Sequence, residues 1–143
     1  MKQDVDFFVL EQQAEWSDSY AGPGPIELDG FMILDLKSYR EGLFESMLKL
    51  FEDQTPMRID AIRAAHAAGE LDHLRHQAHE LAGGAAYIGA ACLARHARAI
   101  ETHAKHGELA PARALIESLD EHAERTIAAL RVILAESKGD PAT

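Results

Sequence analysis

Apolar residues recur along this chain at alternating spacings of three and four, the period of a helix with one buried face. Between about residues 70 and 87 the series is Leu71, Leu74, Ala78, Leu81, Ala85 and Ile88. Between about 90 and 106 it is Leu93, Ala97, Ile100 and Ala104. A last series starts near Leu109, with Pro111 tolerated in its first turn, and carries Leu115, Ile116, Leu119, Ala123, Ile127, Leu130 and Ile133 or Leu134. Such stripes are the seams of a bundle. Upstream, Ser38 and Glu41 have the spacing of a capping box. They predict a helix starting there, with Leu43, Met47, Leu50 and Phe51 on it. Thr55-Pro56 predicts either a new N-cap with proline at the first helical position or a kink in one long helix through Ile59, Ile62 and Ala65. Gly69 and Gly107 are helix stops.

The connections between these segments are short, which makes successive helices antiparallel neighbours. The expected fold is all-α: an up-down antiparallel four-helix bundle over residues 26–138 with an N-terminal helical extension over residues 1–25. Val5, Phe8, Val9 and Gln12 place a short helix within 4–16, and Gly22-Pro23-Gly24-Pro25 reads as a linker. Phe7, Phe8, Trp16 and Tyr20 either cap the bundle or mediate association. Composition agrees with the helical period. Aromatics are only 6% of residues, valine occurs only at Val5, Val9 and Val132, and the helix formers Ala, Leu and Glu are the commonest residues.

Charge narrows the function. The chain has 14 Lys and Arg against 24 Asp and Glu, a net −10. Residues 1–56 hold 12 acids and 4 bases, residues 57–106 hold 5 and 6, and residues 107–143 hold 7 and 4, so the segments carry −8, +1 and −3. An acidic chain is a poor partner for nucleic acid. No apolar run approaches the ~20 residues of a membrane span. The acids in MKQDVDFFVLEQ do not suit a signal peptide. A single cysteine, Cys92, excludes an intrachain disulfide framework and reads as a quiet, partly buried thiol. A cytoplasmic location is expected.

The near-neutral middle contains His66, His73, His76, His79, His96, His103 and His106. For most of them the simplest account is an exposed helical side chain. His79 differs. On a wheel of about 100° per residue it lies roughly 130° from the seam of its helix, while His76 and Gly83 point nearly opposite that seam. Glycine inside a helix costs about 1 kcal/mol against alanine, and two stand here, Gly83 and Gly84. Close helix packing explains Gly83 poorly, because it faces away from the seam. A surface that must be approached from outside explains it well. A neutral imidazole beside such a surface can take and return a phosphoryl group, with Mg²⁺ and the remaining apparatus supplied by a partner. No phosphate-cradling nucleotide loop is present in the sequence.

Ala78-His79-Glu80-Leu81-Ala82-Gly83 followed by Gly89 resembles the pattern AHxLKG…G of the histidine-containing phosphotransfer domains of His–Asp phosphorelays. Leu93, Ala97, Ile100 and Glu101 resemble its LxxxaxxlE continuation, and Leu50-Phe51-x-x-x-Thr55-Pro56 and Ala64-Ala65-x-x-x-Gly69-Glu70-Leu71 resemble its approach to the histidine helix. The likeness covers about residues 26–135. It implies that His79 is the phosphoacceptor and that Gly83 gives a receiver domain room to dock, on a surface with Ala82, Arg75, His76, Ala86 and Lys105. It implies a response-regulator receiver domain or hybrid histidine kinase as partner, no cofactor or metal on this chain, and Mg²⁺ on the receiver. The sequence departs from the pattern at Ala82, where the family usually has a lysine beside the phosphoryl group. Arg75, His76 and Lys105 are the candidate replacements.

Two other functions compete. A degenerate member of this fold would bind a receiver or kinase without phosphotransfer, and Ala82 favours it. A carboxylate metal bundle needs two Glu-x-x-His pairs, and this chain offers one, Glu70-x-x-His73.

Overall fold

A computed structural model describes residues 28–137. Among them are six helices and no strand: α1 Gly30–Tyr39, α2 Leu43–Ala68, α3 Leu71–Tyr87, α4 Ala91–Lys105, α5 Leu109–Glu117 and α6 Leu119–Ser137. The N-terminal extension and its expected short helix lie outside the described residues.

The long α2, α3, α4 and the α5–α6 arm form the bundle. The widest packing is between α3 and α4, followed by α2 against α3. Much of the buried face of α3 and α4 is alanine, with Ala78, Ala82 and Ala85 on one helix and Ala94, Ala97 and Ala104 on the other. Small side chains let two helices approach closely along their length. Larger groups, including Phe44, Leu48, Ile59, Ile62, Leu74, Leu93, Leu119 and Leu130, fill the centre of the bundle.

Three successive helices close in the same way. After α2, α3 and α4 a glycine takes a left-handed backbone, Gly69 at φ 70°, Gly89 at φ 85° and Gly107 at φ 72°. The amides that follow reach back to Ala65, Ala85 and His103 carbonyls at 3.0, 2.8 and 2.8 Å. This is the Schellman closure, which satisfies carbonyls a helix end would otherwise leave open. Each closure turns the chain within two or three residues and so sets the antiparallel order.

Four expectations change. Ser38 does not start a helix: it lies inside α1, where its hydroxyl donates to the Leu34 carbonyl at 2.8 Å. The helix it was expected to open begins at Leu43 after Gly42. The N-cap in this region is Asp29, whose Oδ1 accepts from the Met32 amide at 3.0 Å. Second, Pro56 lies within one continuous helix, so the long-helix alternative holds. Third, the last helix is broken at Ser118 into α5 and α6. Fourth, Leu50 is 55% exposed, and Phe44, Leu48 and Phe51 carry the seam instead.

The α5 segment is fastened by two imidazoles. Nε2 of His66, on α2, lies 2.8 Å from the Leu109 carbonyl, and Nε2 of His96, on α4, lies 2.8 Å from the Leu115 carbonyl. A carbonyl only accepts, so both Nε2 atoms carry hydrogen. Burial lowers the pKa of His96, outweighing the opposite pull of the Leu115 carbonyl, and its ring packs 5.3 Å from that of the buried His122. These histidines are part of the framework.

Candidate functional site

His79 stands in the middle of α3, on the side away from the buried stripe of Leu74, Ala78, Leu81 and Ala85. Its side chain is 68% exposed. The ring is nevertheless held, because Nδ1 lies 3.1 Å from Oε2 of Glu101 on α4. Glu101 is itself only 26% exposed. A carboxylate only accepts, so Nδ1 donates, and in the neutral ring this tautomer leaves the lone pair on Nε2. Nucleophilic chemistry at an imidazole requires that arrangement.

The pairing follows from the hairpin. His79 and Glu101 are equidistant along the chain from Ala90, in the α3–α4 connection. In an antiparallel helix pair, residues equidistant from the turn come side by side. Glu101 entered the sequence comparison only as part of a family pattern, and counting outward from the expected turn would have found its partner.

Beside His79 the surface is bare. A Cβ built at Gly83 or Gly84 meets no heavy atom within 4 Å beyond the backbone of its own helix. A shallow cavity of about 320 Å³ runs there, lined by Arg58, His79, Glu80, Gly83, Gly84 and Tyr87. Packing therefore does not account for either glycine.

The other sequence-predicted residues fall less uniformly. Arg75 and His76 are exposed one turn before His79 on α3, and Lys105 is exposed in the last turn of α4. None of the three lines the cavity. Ala86 is half-buried on the packed flank of α3. Ala82 departs from the expectation of an open surface position, since it is 3% exposed and belongs to the core stripe. The reason is angular: position 82 lies about 80° from Leu74, Leu81 and Ala85 on average, at the edge of the buried arc of a helix packed on two neighbours. Arg58, which sequence reasoning missed, reaches the cavity from α2. Cys92 is half-buried, and burial raises its thiol pKa to about 11. It is a poor nucleophile at neutral pH. Among the described residues no group of three or more His, Cys, Asp or Glu side chains is arranged to hold a metal ion, and no helix is long and apolar enough to cross a membrane.

No curated protein matches the chain in sequence. The chain is similar to the crystal structure of histidine-containing phosphotransfer protein B from Pseudomonas aeruginosa PAO1, with 32% identity, a TM-score of 0.66, and 78% of this chain and 94% of that one covered. The profile of the Hpt domain matches residues 46–131, a span that contains α3 and α4 whole. The chain therefore belongs to the Hpt domain family and has a histidine phosphotransfer role in phosphorelay signalling.

Proposed function

We propose that His79 is the phosphoacceptor and that it exchanges its phosphoryl group with the aspartate of a response-regulator receiver domain or of a hybrid histidine kinase. The observation that carries this is the exposed His79 ring with Nδ1 engaged by Glu101 at 3.1 Å. In the forward step the Nε2 lone pair forms an N–P bond while the P–O bond of the partner's aspartyl phosphate breaks, and the aspartate carboxylate leaves with the electron pair. The Nδ1 proton stays in place. The ring gains positive charge as the bond forms, and the Glu101 carboxylate faces it. Such a charge-assisted hydrogen bond strengthens as charge develops. The reverse step returns the group to an aspartate. Mg²⁺ acts on the receiver side, and the bare Gly83–Gly84 surface gives the receiver its approach. The cytoplasm is the compartment in which such partners would meet it.

Incubation with a phosphorylated receiver domain tests this. The label should be acid-labile and base-stable, and His79→Gln should abolish it with unchanged helical content. Glu101→Ala should slow transfer by about three- to tenfold, the worth of a half-exposed charged hydrogen bond. Label that persists in His79→Gln, or moves to His76, refutes the assignment. The degenerate-adaptor alternative rests on the absence of lysine at position 82. Tight receiver binding with no label in the wild type would establish it instead.

A further inference from the structure

Resting on the assignment of His79 as phosphoacceptor, we infer that Arg58 is the cation that binds the phosphoryl group. The family lysine would stand at position 82, but Ala82 is a core residue here. Arg58 comes from a different helix, α2, and opens into the same cavity as His79, Glu80, Gly83, Gly84 and Tyr87. Arg75, His76 and Lys105 do not line that cavity.

Arg58 is held where it can change partners. Its side chain is 28% exposed, so it is partly held by its surroundings without being sealed from solvent. Its contacts are long: Nη2 donates to Gln54 Oε1 at 3.5 Å, and Nη1 lies 3.6 Å from Glu80 Oε1. Glu80 directly follows His79 in sequence. A phosphoryl group on Nε2 of His79 brings close to two negative charges and three acceptor oxygens to this cavity. It matches the guanidinium fork better than one distant carboxylate oxygen does. Phosphorylation thus draws Arg58 from Glu80 to the phosphoryl oxygens. Glu80 opposes it twice, by competing for Arg58 and by repelling the phosphoryl charge.

Labelling the full chain with phosphoramidate tests this without a docking partner. The Nε2 lone pair takes the phosphoryl group as the P–N bond of phosphoramidate breaks and ammonia leaves. Arg58→Ala should lower the steady phosphohistidine yield and shorten its lifetime by about two- to fivefold, the effect of one cation in a half-exposed site. Arg58→Lys should recover part of that loss. Glu80→Gln should change yield and lifetime in the opposite direction, and by less when Arg58 is already alanine. Melting curves taken alongside separate a folding defect from a charge effect, and Glu80→Gln gives the sign in a protein that keeps Arg58. Wild type that labels normally, with equal lifetimes in Arg58→Ala and wild type, overturns the role of Arg58 alone. So does a loss seen in Lys105→Ala or Arg75→Ala but not in Arg58→Ala. Wild type that never labels overturns the phosphoacceptor assignment and this inference with it.

Discussion

On the proposed docking surface, substitution at Gly83 should move stability and receiver affinity in opposite directions. Its position is mid-helix, and a Cβ would meet nothing within 4 Å beyond its own helical backbone. Gly83→Ala should therefore recover the full helix-propensity difference, about 0.8–1 kcal/mol. With an unfolding entropy of about 2.1 cal/mol/K for each of about 110 ordered residues, the slope is roughly 0.23 kcal/mol/K and the expected rise in Tm is about 4 °C. Leucine has nearly the same propensity, so Gly83→Leu should melt within a degree or so of Gly83→Ala. Binding should follow bulk instead. A side chain forced into a fitted contact costs about 1–3 kcal/mol, a loss of roughly 5- to 150-fold in affinity, graded from alanine to leucine. Circular-dichroism melting and calorimetric titration with a receiver domain measure the two effects on the same samples. If Tm falls along with affinity, Gly83 is a packing residue. If Gly83→Leu binds like the wild type, the bare patch is not where the receiver docks.

Two further outcomes concern the framework. At Gly89 a Cβ would sit 2.6 Å from Ile33 Cγ1 and 3.1 Å from the Asp29 carbonyl oxygen, on a backbone at φ 85°; Gly89→Ala should cost about 2–4 kcal/mol by urea denaturation, and a loss below about 1 kcal/mol would show that α1 yields easily. Burial holds the pKa of His96 below its ordinary 6.5, so above that pH neither state is protonated, while below it the unfolded chain binds a proton that the folded protein refuses. Stability should fall as pH drops from about 6.5 toward the folded pKa, by at most about 1.4 kcal/mol per unit, and less steeply in His96→Gln; parallel wild-type and variant profiles would remove His96 as a source of acid sensitivity.

The legible parts of this protein are those where one local signal meets no competitor. The α3 and α4 stripes, each closed by a glycine that must go left-handed, give both helices to within a residue or so and place His79 on the open side. Elsewhere a local signal had two meanings. Ser38 and Glu41 match a capping box, but Asp29 caps α1 nine residues earlier and Ser38 is satisfied within that helix. The break at Ser118 has no proline or glycine to announce it; His96 and the Ser118 hydroxyl, 3.2 Å from the Leu115 carbonyl, supply hydrogen bonds the helix gives up there. Ala82 reads as surface from its neighbour Gly83, yet α3 packs on two helices at once, and the wider buried arc takes position 82 in. Arg58 was out of reach for a different reason. It shares a cavity with His79 only through the packing of α2 on α3, and no sequence period records which rotational setting two helices adopt.

The α3–α4 hairpin also has a kinetic consequence. His79 and Glu101 belong to two helices joined through residues 88–90, which share the widest interface in the bundle. Contacts made between near neighbours in sequence cost little chain entropy and tend to form early. The His79 ring and the carboxylate that orients it should therefore come together early, within one local hairpin. Fraying at the C-terminal end of α6, which packs mainly on α2, should alter total stability more than the ring's geometry.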